Sequence, residues 1–132
     1  MSEPVNELIP GLYAKVEKEV TAADTALMLG SGDVEVYGTP AVVALCELAA
    51  VHAVAPALGP NETTVGSRID IEHLAPTVVG RTVTGYARVE SVDGRRIAFS
   101  VEASDPAGVI ARGTHVRVRV DRDMFMANAW DR

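Results

Sequence analysis

GTPAVVALCELAAVHAVAPALGP, residues 38–60, is the stretch on which the fold turns. Gly38-Thr39-Pro40 opens it with a helix-start signal, Thr39 as N-cap and Pro40 at the first helical position, where a missing N–H costs nothing. Pro56 and then Gly59-Pro60 close it. A helix is therefore predicted from about Pro40 to Ala55, roughly 24 Å long at 1.5 Å per residue. Val43, Ala44, Ala50, Val51 and Val54 share the face of Glu47, and the opposite side is apolar too. A helix that is hydrophobic all round lies inside something. The apolar run from Ala41 to Ala55 is shorter than the roughly 20 residues a membrane span needs, and it contains Glu47.

Working outward, the periodicity changes from 3.6 to 2. After Val65, Ser67, Ile69, Ile71 and His73 fall on one face, and Arg68, Asp70 and Glu72 on the other, which predicts a strand with His73 pointing inward. A second strand is predicted from about Arg81 to Val92, with Val83, Ala87 and Val89 on its apolar face. Asp93-Gly94 then signals a tight hairpin. The returning strand runs from about Arg95 to Ser104, with Ile97, Phe99 and Val101 alternating against Arg96, Ala98 and Ser100. Asp105-Pro106-Ala107-Gly108 turns the chain into a last strand from about Val109 to Val120. There Thr114, Val116, Val118 and Val120 oppose His115, Arg117 and Arg119, which assigns His115 to the outer or dimer face. Leu12 to Val20 is a weaker strand, its apolar face interrupted by Lys18.

One long helix and about five mostly antiparallel strands, with no internal repeat or linker, make a single α+β domain over residues 1–132. A curved sheet wrapped around the helix would bury nearly all of it. That arrangement is the hot dog, and a homodimer paired through its sheets is expected by analogy.

Composition limits the function. The net charge of −6 argues against general nucleic-acid binding, which rests on Lys and Arg meeting phosphates. MSEPVNELIPGLY has neither the basic start nor the apolar length of a signal, so no secretion and no membrane anchor are expected. The single cysteine, Cys46, excludes an internal disulfide and fits a reducing cytoplasm. Aromatic residues make up only 5%, so Val, Ala, Leu and Ile must fill the core.

Glu47 is the only formally charged side chain from Val36 to Asn61. A carboxylate buried without a partner loses several kcal/mol of hydration or shifts its pKa upward. Together with the inward His73 it forms the main candidate constellation, since a carboxylate can orient an imidazole that removes a proton from water. Thr39 adds a hydroxyl at the helix entrance, where free backbone N–H groups can stabilise an oxyanion. Gly66, just before the strand carrying His73, is the loop glycine to watch. Eight helical residues separate Thr39 from Glu47 by roughly 12 Å, too far for a direct hydrogen bond. Either the entrance loop folds Thr39 back, or substrate or a water lies between them.

The runs YGTPAVVALCELAAVHAVAPALGP, VGSRIDIEHLAP, VESVDGRRIAFSVEA and GTHVRVRV resemble the fluoroacetyl-CoA thioesterase family of hot-dog hydrolases, from about Tyr13 to Ala129. The resemblance implies Thr39, Glu47 and His73 as the catalytic set, with Gly66 near the thioester carbonyl and Arg117 helping to bind substrate. It implies hydrolysis of a short acyl-CoA with no metal or other cofactor, coenzyme A being part of the substrate. The fluoroacetyl enzyme closes its pocket with phenylalanines before the helix, whereas LMLGSGDVEVYGTP holds none. Acyl-CoA hydrolysis is therefore supported more strongly than a fluorinated substrate.

Glu47 either orients His73 or attacks the thioester itself, and the sequence leaves both routes open. Two other functions remain: a hot-dog enoyl-CoA hydratase or dehydratase, and a non-enzymatic acyl-CoA-binding protein. Cys46 reads as a small core residue, and three scattered histidines with one cysteine do not make a zinc site. Arg95-Arg96 reads as a solvated hairpin or a contact for coenzyme A phosphates, and Met124-Phe125-Met126 as a packing anchor for the tail or a border of an acyl pocket.

Overall fold

A computed structural model describes residues 7–132, so the first six residues of the segment expected to carry no signal or anchor lie outside it. Strands β1 (Tyr13–Glu19), β2 (Glu62–His73), β3 (Thr82–Asp93), β4 (Arg96–Asp105) and β5 (Gly108–Asp121) form one antiparallel sheet in the order β1-β3-β4-β5-β2. Helices α1 (Ala26–Leu29), α2 (Thr39–Val54) and α3 (Arg122–Trp130) complete the chain. This curved five-stranded sheet on one long helix is the hot-dog arrangement.

The hairpin signals hold for a physical reason. Gly94 takes φ 62° in the turn between Asp93 and Arg96, and Gly108 takes φ 134° where β4 pairs into β5, conformations that cost little without a Cβ. The weak strand around Lys18 forms as edge strand β1, with Lys18 paired to Asp24 at 3.0 Å.

The core lies between α2 and the concave face of the sheet. Val42, Leu45, Cys46, Ala49, Ala50, Ala53 and Val54 recur at helical spacing on the buried side of α2 and meet Val83, Ala87, Val89, Ile97, Phe99, Val101 and Ala103. Gly85 permits the close approach of helix and sheet: a Cβ there would lie 2.7 Å from the Leu45 side chain and 3.0 Å from its carbonyl oxygen. Burial raises the Cys46 thiol pKa to about 11, which suits an inert core residue.

Three expectations are corrected here. The sheet does not bury α2 all round, because it covers only one side. Leu48 and Val51 remain 47% and 36% exposed, beside exposed Ala44. Thr39 is not the N-cap. Gly38 takes that position, its carbonyl accepting from the N–H groups of Ala41 and Val42, which places Thr39 inside the first turn. A Cβ at Gly38 would approach the backbone of Ala26 to 3.1 Å, so α1 presses a glycine into the cap. Met124, Phe125 and Met126 do not anchor the tail, as all three are exposed along α3.

Strand β2 contains the irregularity that shapes the site. Its ladder with β5 passes from Gly66–Arg117 to Arg68–Val116, leaving Ser67 bulged out. One extra residue inverts the side-chain parity. Thr64 is buried before the bulge, and Ile69 and Ile71 pack against the core after it.

Candidate active site

Two polar groups stand at opposite ends of the same helix–strand seam. At the first turn of α2 the Thr39 Oγ1 lies 2.8 Å from Nδ1 of His73, the last residue of β2. Because Gly38 serves as the cap, the Thr39 hydroxyl is free to make this bond. His73 Nε2 is the one buried side-chain N or O atom without a hydrogen-bond partner among the described residues. A buried, unpaired ring nitrogen is costly unless another molecule meets it.

Two turns further along α2, Glu47 reaches over Gly66. Its Oε2 accepts from Arg117 Nη1 at 3.0 Å, and an ideal Cβ on Gly66 would sit 2.6 Å from that oxygen. The missing side chain at Gly66 therefore makes room for the carboxylate. Among the described residues no hydrogen bond engages the other oxygen, Oε1. The Glu47 side chain is 38% exposed.

Arg117 is almost wholly buried, and its guanidinium is spent on the protein. Nε donates to the Thr64 hydroxyl at 2.9 Å, Nη2 to the Thr64 carbonyl at 3.0 Å, and Nη1 to both Glu47 and His115. Burial pulls its pKa down, and the Glu47 carboxylate opposes that pull. His115 is enclosed beside Phe99, with Nδ1 2.7 Å from the Arg68 carbonyl. Desolvation lowers its pKa below the usual histidine value, the Arg68 carbonyl partly resists, Arg117 lowers it further and Glu47 raises it.

The structure corrects several expectations for the site. Glu47 is neither unpartnered nor enclosed in hydrocarbon, because its partner arrives from 70 residues away on β5. Within one chain it contacts Arg117 and His115, while His73 contacts Thr39, so Glu47 and His73 do not form a pair there. Nor does the entrance loop fold Thr39 back onto Glu47. His115 faces inward, not outward: the valines of β5 that suggested the phase, Val116, Val118 and Val120, lie on the less buried side. Arg117 braces the carboxylate from behind rather than offering a free cation. Thr64 and His115 were missed. The i, i+2 spacing of His115 and Arg117 was visible, but the phase was assigned by counting valines.

Residues 20–123 match the model of a family described as fluoroacetyl-CoA-specific thioesterase. The chain belongs to that family. The fluoroacetyl-CoA thioesterase of Streptantibioticus cattleyicolor is 42% identical over 93 residues, 70% of this chain and 67% of that protein. A solved structure of the fluoroacetyl-CoA thioesterase FlK superposes with a TM-score of 0.89 at 32% identity, covering 96% of this chain and 98% of the other. A Thermus thermophilus protein described as a thioesterase superfamily member gives 0.85 at 30% identity, covering 98% and 94%. Both solved structures thus superpose on nearly the whole of this chain.

Proposed function

We propose that this protein is an acyl-CoA thioesterase that hydrolyses a short acyl-CoA, with Glu47, Thr39 and His73 as its reacting side chains. Membership of the thioesterase family supports the reaction class. The observation that carries the residue assignment is the Glu47 carboxylate, held by Arg117 above Gly66 with Oε1 unengaged. The orienting role for His73 is already filled by Thr39 at 2.8 Å. Glu47 is therefore left for the carbonyl carbon.

In this mechanism Oε1 bonds to the thioester carbon, the carbon–sulfur bond breaks, and coenzyme A leaves as a thiolate that takes its proton from His73. Backbone N–H groups around Gly66 and the Ser67 bulge are the candidate oxyanion donors. His73, steadied by Thr39, then takes a proton from water, which opens the acyl anhydride and restores the carboxylate. Side chains and water carry every step, so no cofactor is invoked.

The site is completed by a second copy. β2 is a 12-residue edge strand, open on the side away from β5, and an open edge is a template for pairing. Antiparallel pairing of two β2 strands about a two-fold axis at Asp70 keeps opposed residues on one face and sets the bulged Gly66-Ser67 step opposite the partner's His73. Glu47 of one protomer then faces the partner's Thr39 and the partner's His73. With one free, buried cysteine, we place the homodimer in a reducing cytoplasm.

Thiol release measured over acetyl-, fluoroacetyl-, malonyl- and longer acyl-CoAs tests the function. Turnover on the short thioesters, falling with chain length, is expected. Hydration of an enoyl-CoA without thiol release would instead mark a hydratase, and binding without turnover a carrier.

A further inference from the structure

Arg117 has two N–H bonds on Nη1, and they point to different acceptors: Glu47 Oε2 at 3.0 Å and His115 Nε2 at 3.2 Å. The second contact requires a particular tautomer. The Arg68 carbonyl can only accept, so His115 Nδ1, 2.7 Å away, carries the ring proton and Nε2 presents a bare lone pair. That carbonyl stands beside the Ser67 bulge, where the strand has shifted register. The bulge thus sets the tautomer, the tautomer sets the acceptor, and the acceptor sets the rotation of the guanidinium.

We propose that His115 is a positioning residue for Glu47, its Nε2 lone pair holding Arg117 so that one N–H grips Oε2 and Oε1 is turned to the reacting carbon. The inference rests on the proposed role of Glu47. A proton on Nε2 would oppose Arg117 Nη1 and attract Oε2, which lies 3.8 Å from that nitrogen, and the carboxylate would exchange partners. The groups facing the ring are Glu47 from α2, Arg117 from β5, Phe99 from β4 and the Arg68 carbonyl from β2. Glu47 and Arg117 are the charged ones, and the neutral ring keeps them paired with each other.

Two variants of the full chain separate positioning from packing. His115→Gln keeps an acceptor within reach of Arg117, whereas His115→Asn keeps a donor for the Arg68 carbonyl and falls short of Arg117. The Asn variant is expected to lose roughly 10-fold to 100-fold in kcat, in line with a misplaced catalytic group, with KM changed far less. The Gln variant should recover most of that loss. Equal kcat losses in the two variants, or a change confined to KM, would overturn the inference. Nitrogen-15 shifts of His115 in the unaltered protein add a check that needs no variant to fold: protonated Nδ1 and bare Nε2 are expected, and the reverse tautomer contradicts the proposal. Glu47→Gln, run alongside, shows separately whether the role of Glu47 itself holds.

Discussion

Glu47→Gln is expected to lower kcat for thiol release by about 10²–10⁴-fold, the span assigned to a directly acting acid–base or nucleophilic group. The substitution keeps size and shape but replaces the anion that attacks. Arg117 retains its two bonds to Thr64, and the Gln carbonyl can still accept from Nη1, so the fold should survive. Thermal unfolding measured beside the thiol assay distinguishes lost chemistry from lost structure. Unchanged turnover would remove Glu47 from the mechanism.

Gly66→Ala is expected to cost nearly as much through geometry alone. A methyl group 2.6 Å from Oε2 forces the carboxylate to move, with Arg117 Nη1 and the His115 ring each 3.4 Å from the same point. Both of those groups are buried and bonded, so Glu47 gives way. Misplacing a reacting group by about 1 Å can cost on the order of 100-fold. Steady-state kinetics should show the fall in kcat, and a crystal structure of the variant should show Oε2 drawn off Arg117. Full activity in the Ala variant would mean that the observed position of the carboxylate has no bearing on the reaction.

The strands and the long helix were legible because their signals are local. Alternation at Val83, Ala87 and Val89, and at Ile97, Phe99 and Val101, follows from one buried sheet face, and Asp93-Gly94 is turn chemistry. The exposed side of α2 was not legible. The helix is apolar on both sides, so periodicity gives no indication of which side the sheet covers. Parity along β5 misled for a related reason. His115 and Arg117 face inward because Thr64, Glu47 and the Arg68 carbonyl satisfy their polar atoms, and those partners come from distant segments. The Ser67 bulge, which reverses the phase of β2, leaves no local mark beyond Gly66.

Thr39, Glu47 and His73 were legible as side chains worth watching, but the contacts each makes within one chain were not. A carboxylate and an imidazole in adjacent elements suggest a pair. The structure instead gives each its own neighbour, because Glu47 and His73 lie at different heights along the seam between α2 and β2. In the proposed dimer, an antiparallel second copy reverses those heights and brings the halves together.

Mixing the inactive Glu47→Gln and His73→Ala chains, after unfolding and refolding them together, tests that two-copy site most directly. Random assortment makes half the dimers mixed, each with one intact site of its two, so the mixture should recover about a quarter of wild-type thiol release. Activity no greater than the average of the two variants refolded separately would contradict the account.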